Sequence, residues 1–189
     1  MASIGLLKPR VALYTETNGT VTYSGLKTLA KAISHSLTLN NSDPVILYAD
    51  DGAAESIGGF SSGTLTLGVD KLPADICGMI FGITPETSTT PAGSIVAFDD
   101  DMNPPYLGYG VIVPKIRNGV RTWMAVLFTK IKFSIPGETF ATKGEQVEFQ
   151  TPELTATVVR DDSTKHTWRK WAEFGTEEAA DTWLTTQLG

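Results

Sequence analysis

The chain is nearly without the residues that staple or metallate small proteins: among 189 residues there are one cysteine, Cys77, and two histidines, His35 and His166. A single thiol closes no internal disulfide and offers one thiolate, which excludes disulfide scaffolds and cysteine-rich zinc sites. Two imidazoles leave little for a histidine-built metal centre. No apolar run approaches the ~20 residues that cross a bilayer as a helix. Residues 1–10 lack the apolar stretch and small-residue cleavage site of a secretory signal, so a soluble chain that remains where it is made is expected. Bases are also in deficit, with 15 Lys and Arg against 21 Asp and Glu and a net charge of −6. That balance argues against gripping nucleic acid by phosphate neutralisation, which needs a basic stripe.

What is present points to β-structure. The chain has 25 threonines, 18 glycines and 10 prolines. β-Branched side chains suit a pleated surface, and Gly and Pro punctuate strands. An apolar share of 41% with 19% charged residues excludes a disordered chain. The length suits one domain, 1–189, with appendages.

The charge is unevenly placed. Residues 1–40 carry a net +3, residues 41–102 a net −9, residues 103–135 a net +5 with no acid at all, and residues 136–189 a net −5. Mixed surface charge keeps a small domain soluble. The alternative is that opposite-signed blocks meet between copies of the chain, the basic side supplied by Lys115, Arg117, Arg121, Lys130 and Lys132, or that one acidic face repels an anion.

Two Asn-Gly pairs, Asn18-Gly19 and Asn118-Gly119, sit between β-rich runs and predict hairpins, the second joining long strands over 106–115 and 121–133. Period-2 alternation predicts a strand over 30–39, with Ile33, His35, Leu37 and Leu39 on one face, and another over 64–69 with Leu65, Leu67 and Val69 inward. Residues 40–63 are polar and Gly-rich, interrupted by the apolar run 45–48, and predict a long loop or hairpin arm. Pro73 and Asp75 open a short helix that Gly82 ends. Residues 84–93, rich in Thr, Ser and Pro, read as a loop, followed by a short strand over 94–98. Residues 123–132 are apolar on both faces, which places that strand centrally. Further strands are predicted over 153–159 and 166–174, with Trp168 against Trp171. A C-terminal helix over 176–188 is capped by Thr176 and turns Ala179, Ala180, Trp183, Leu184 and Leu188 to the core. Leu65, Leu67 and Val69 are expected to share one core with Trp183 and Leu184.

No constellation for catalysis emerges. Gly108-Tyr109-Gly110 has half of a dinucleotide fingerprint, but it lies within a strand and Val113 stands where a third glycine is needed. There is no P-loop, nucleophile elbow or H-E-x-x-H. Asp99-Asp100-Asp101 with Asn103 has oxygen ligands for Ca²⁺, yet consecutive side chains on an extended chain diverge and the EF-hand spacing is missing, so it reads as a solvated strand end. Asp161-Asp162 before Ser163 reads as a turn. His35 reads as a hydrogen-bonded core residue, and His166 opens a strand. Nothing selects a glycosidase carboxylate pair from 21 acids. Trp168, Trp171 and Trp183 are placed in the core rather than on a sugar-stacking face. No catalytic, cofactor-binding or metal-ligating residue is therefore assigned, and a non-enzymatic role is expected.

Several blocks, taken in order, are familiar: 48–56 (Tyr-Ala-Asp-Asp-Gly-Ala-Ala-Glu-Ser), 63–73 (Gly-Thr-Leu-Thr-Leu-Gly-Val-Asp-Lys-Leu-Pro), 105–110 (Pro-Tyr-Leu-Gly-Tyr-Gly), Lys143-Gly144-Glu145, Phe149-Gln150-Thr151-Pro152, and 154–157 (Leu-Thr-Ala-Thr). Their order and spacing, from about Gly5 to past Val159, resemble the major tail protein, or tail tube protein, of long-tailed bacteriophages. The segment from Asp161 onward is the least distinctive. The resemblance implies a β-sandwich or barrel-like fold of the tail-tube type with one short mid-chain helix and one C-terminal helix. It also implies a virion protein, made in the bacterial host cytoplasm, whose copies form hexameric rings that stack into a tube. Tape measure, tail terminator and distal tail proteins are the implied partners, and DNA would pass through the lumen without specific binding. The alternative is a carbohydrate-binding or adhesion β-sandwich.

Overall fold

A computed structural model describes residues 2–41, 45–49, 52–57, 59–100, 102–137 and 151–189. Along these residues run β1 (Ala2–Ser3), β2 (Leu7–Thr17), β3 (Thr20–Thr28), β4 (Ala32–Asn41), β5 (Val45–Ala49), β6 (Gly52–Ile57) and β7 (Phe60–Val69). Helix α1 (Ala74–Phe81) follows, then β8 (Glu86–Thr89), β9 (Ala92–Ile95), β10 (Leu107–Arg117), β11 (Val120–Phe133), β12 (Glu153–Val159), β13 (Arg169–Phe174) and helix α2 (Glu177–Leu188). The fold is mainly β with one short mid-chain helix and one C-terminal helix.

Local chemistry sets the hairpins. Both Asn-Gly pairs adopt positive φ at each residue, 53° and 76° at Asn18-Gly19 and 50° and 78° at Asn118-Gly119. That backbone twist matches the right-handed twist of the strands they join, β2 to β3 and β10 to β11. Helix α1 starts after Pro73 and stops at Gly82, whose left-handed φ of 72° closes the last turn onto the Gly78 carbonyl.

One antiparallel sheet runs β3-β2-β10-β11-β12-β7-β4, with β1 added to β10 and β13 to β11. Strand β11 is the pivot. It pairs with β10 on one edge, while its other edge takes β13 along Trp123–Phe128 and β12 along Lys130–Phe133. The limb β12-β7-β4 curls over one face of the sheet. At the far end of the strand order, His35 of β4 lies with its ring 5.9 Å from Tyr109 of β10 and 5.8 Å from Phe128 of β11. The enclosed core takes Val11, Leu65, Leu67, Val69, Tyr109, Phe128, Leu154 and Val158, and α1 adds Ile76, Ile80 and Phe81.

A second core lies on the opposite face. There α2 places Ala180, Leu184 and Leu188 against Ala12, Ile112, Ala125 and Leu127. Successive strand residues point to opposite faces, so Val126 and Phe128 enter one core while Ala125 and Leu127 enter the other. This accounts for the apolar character of β11 on both sides, and it corrects the single core expected from sequence. Leu65, Leu67 and Val69 are separated by the sheet from Leu184 and from Trp183, which packs against the helix-side core.

Glycine admits the helix. A Cβ on Gly108 would meet Tyr23 Cε1 at 2.6 Å and Leu188 Cδ2 at 2.7 Å, and one on Gly110 would meet Leu184 Cδ2 at 2.9 Å. The Gly-Tyr-Gly triplet is thus a seat for α2 and not a phosphate cradle. Thr176 caps the helix by accepting the Ala179 N–H at 3.2 Å. Lys8 holds Glu177 at 2.9 Å and Arg10 holds Asp181 at 2.5 Å, fixing the first turns of α2 to β2.

Other expectations are corrected. Residues 86–95 form the hairpin β8–β9 within the region read as a loop, because β-branched Thr pairs across strands even in a turn-rich composition. The strand expected at 94–98 is the second arm of that hairpin, ending at Ile95. The last strand begins at Arg169, not at His166, whose φ of 49° belongs to a turn. Trp168 stacks on Phe60 at 4.2 Å and 6°, not on Trp171, which is 60% exposed. A bulge between Ala32 and Ser34 turns Ile33 outward, and Leu39 is also exposed. Ala179 faces solvent while Ala180 is buried, since it lies one residue off the helix stripe. The excursion expected at 40–63 is narrower: β4 reaches Asn41, β7 starts at Phe60, and β5 and β6 pair with each other.

Candidate assembly surfaces

The acidic candidates from sequence do not converge. Asp161 is buried and accepts the Ser163 N–H at 3.2 Å and the Ser163 hydroxyl at 2.6 Å, a turn as expected. Asn103 accepts the Lys132 ammonium at 3.1 Å, and Asp99 and Asp100 lie exposed on the segment ahead of it. Asp101 lies outside the described residues, as do Lys143-Gly144-Glu145 and Phe149-Gln150. Among the described residues, no group of three or more His, Cys, Asp or Glu side chains is placed to hold a metal ion. No helix there is long and apolar enough to cross a membrane.

The histidines are structural. His35 Nδ1 lies 3.4 Å from the Tyr109 hydroxyl, and its ring stacks on that phenol. Burial, helped by the Arg169 charge, pushes its pKa below the usual histidine value, which favours neutral imidazole. His166 Nδ1 lies 3.3 Å from the Asp161 carbonyl and closes the turn before β13.

A network missed by sequence reading links Tyr14, Lys130 and Asp162. Lys130 Nζ donates to Asp162 Oδ2 at 2.5 Å and the Tyr14 hydroxyl donates to the same oxygen at 2.8 Å. The ammonium lies 5.0 Å from the Tyr14 ring centroid and 4.5 Å from that of Tyr106. Lys130, then Tyr14, hold the Asp162 carboxyl below its ordinary pKa, while burial pushes Tyr14 up to about 12. Three of the five bases proposed for contacts between copies are engaged within their own chain: Lys130, Lys132, and Lys115, whose ammonium lies 2.9 Å from Met124 Sδ. Alternation shows which way a lysine points along a strand, but not that a turn 32 residues later brings it a carboxylate.

Three surfaces remain for association. The first is backbone: among the described residues, β3, β4 and β13 each pair on one edge, to β2, β7 and β11. The second is a cleft of about 420 Å³ at the foot of the β10–β11 hairpin, where Pro104, Tyr106, Phe133, Ile135 and Val159 surround Lys132. Tyr106 and Ile135 there are 41% and 59% exposed. The third is the tip of that hairpin, where Ile116 and Val120 are 40% and 63% exposed and Ile4 lies alongside. Tyr106 with Ile135 and Ile4 with Ile116 and Val120 are the exposed apolar groups at these two places, while Ile33, Leu39, Ile95, Phe98 and Trp171 are exposed elsewhere.

The fold and these surfaces define a mainly antiparallel β domain with, among the described residues, open sheet edges and no catalytic constellation. No protein-family model matches the chain, and no curated protein matches it.

Proposed function

We propose that this chain is a structural subunit of a phage tail tube: copies associate into hexameric rings, rings stack, and the hollow polymer conducts DNA into the host. The observation that carries this reading is that the sheet is open at its edges among the described residues. The outer edges of β3 and β4 end the strand order, and β5–β6 forms a hairpin outside the main sheet. Open edges present rows of unpaired N–H and C=O groups, and pairing them between copies removes the liability. A barrel closed from several sheets keeps an aqueous channel, because diameter grows with strand number. The net charge of −6 suits a conduit, since DNA carries about one charge per 1.7 Å and a basic lumen would hold it. The resemblance in the ordered sequence blocks supports the same reading.

The test is negative-stain electron microscopy of the protein across a concentration series, with sedimentation run in parallel. Rings or hollow tubes that grow with concentration support the reading. A particle that stays monomeric and binds glycans on an array overturns it in favour of the adhesion module, for which the exposed Trp171 indole is the stacking candidate. Removing residues 44–59 should leave a folded monomer that does not polymerise. Tubes of normal length from that deletion would show that the β5–β6 arm is no part of the assembly.

A further inference from the structure

We infer that the tip of the β10–β11 hairpin of one copy inserts into the cleft at the foot of the same hairpin in a second copy, a head-to-tail contact. It rests on the assembly reading above, for which it supplies one joint between copies. The tip is the turn of the β10–β11 hairpin, and the cleft lies beside its open end, where Lys132 and Phe133 of β11 line it. Strands β10 and β11 pair continuously from Tyr109 and Phe128 to Arg117 and Val120, so the tip and the foot lie at opposite ends. The tip projects past its neighbours. β2 pairs with β10 only over Leu107–Ile112 and β13 pairs with β11 only over Trp123–Phe128, leaving the two-residue strand β1 beside Lys115 and Ile116.

The chemistry of the ends is complementary. Arg117 opposes Val120 and Ile116 opposes Arg121, so the two apolar side chains point to opposite faces of the tip. Ile4, whose N–H donates to the Pro114 carbonyl at 3.0 Å, extends the apolar tip. The cleft, of about 420 Å³, presents Tyr106, Ile135 and Val159 over the buried Phe133. Arg121 on the tip is exposed, and so is Asp100 on the segment leading to Pro104 at the cleft. Opposite charges beside an apolar contact fix register and speed encounter. The cleft's own cation, Lys132, is held by Asn103 at 3.1 Å. A second copy of this chain is thus the occupant, because the exposed apolar side chains of tip and cleft match in polarity and Arg121 beside the one is opposite in charge to Asp100 near the other. The two patches differ, so the contact is heterologous and propagates instead of closing a dimer.

The experiment uses the full chain with two surface substitutions made separately, Val120→Cys and Ile135→Cys. Cys77 is 7% exposed, so unsubstituted protein is the control. Variants whose melting curves match the wild type are mixed at high concentration, treated with a short bifunctional maleimide and resolved on a denaturing gel. A dimer band from the mixture that neither variant gives alone supports the contact, as does a ladder beyond dimer from the double variant. Arg121→Glu in the Val120→Cys background should weaken the band, and Asp100→Lys in the partner should restore it. No mixed band, or a band indifferent to both charge reversals, overturns the contact. Tubes without cross-links would leave the assembly reading standing and this contact refuted. Cross-links without tubes would do the reverse.

Discussion

Tyr14 and Asp162 hold each other through two hydrogen bonds: the phenol donates to Oδ2 at 2.8 Å and accepts the Asp162 backbone N–H at 3.0 Å. The pair ties β2 to the turn that follows β12, and Lys130 of β11 completes the tie. Three separate parts of the sheet are joined through one carboxylate.

Tyr14→Phe removes both bonds while leaving the ring in place. The Asp162 side chain is 49% exposed, so water takes up part of the loss and the cost should be about 1 kcal/mol by denaturant unfolding. An unchanged midpoint would mean the two bonds exchange freely with solvent.

The same carboxylate sets part of the acid stability. Lys130 holds the Asp162 pKa below its ordinary value, so the ionised form favours the folded state. That contribution is present above the unfolded pKa of ~4 and is lost as pH falls through the lower folded value. Lys130→Met removes the leading cause and should flatten this acid limb in a pH series of melting temperatures. A limb as steep as that of the wild type would assign it to other acids.

His35 adds a separate limb. Its pKa is depressed by burial first and by Arg169 second, so the neutral ring favours the folded state. Its stability is present above the unfolded value of ~6.5 and is lost as pH falls through the lower folded value. His35→Phe keeps an aromatic ring against Tyr109 and Phe128 and should abolish the fall in stability that begins just below pH ~6.5. Persistence of that fall in the variant would place its origin elsewhere.

Gly108→Ala tests the seat of α2. With Tyr23 and Leu188 atoms inside 3 Å of the new carbon, the helix or the phenol must shift, at a cost of ~1–3 kcal/mol. Gly93→Ala, which meets nothing within 4 Å, is the control and should change stability little. Equal unfolding midpoints for the two variants would show that α2 does not press on β10.

Leu67→Ala and Leu184→Ala probe the two cores. Each removes a fully enclosed side chain and should cost ~2–5 kcal/mol. Because the sheet separates them, their effects in the double variant should add within ~0.5 kcal/mol. A larger coupling would argue for one continuous core.

Much of the strand framework is legible because it is written in short range. Two Asn-Gly pairs specify turns, Leu65, Leu67 and Val69 alternate about one pleat, and Thr176 sits where a helix needs an acceptor. Each is a property of a few neighbouring residues. The errors share another cause. Alternation along β7 and the helical stripe of α2 tell that Leu67 and Leu184 are buried but not which face of the sheet each covers. Trp168 was expected against Trp171 in its own segment, yet its partner is Phe60, brought close by β7.

Sequence alone determined the β-rich class, the two helices and their ends, and the lack of a recognisable catalytic motif, because propensity, period and capping act within a turn or two of chain. Only the tertiary structure decided that β11 separates two cores, that glycines at 108 and 110 admit a helix, and that Lys130 spends its charge on Asp162. Those outcomes depend on which distant strands pair along the edges of β11, and pairing between such strands is selected by the burial of whole faces at once, a quantity no local window of residues contains.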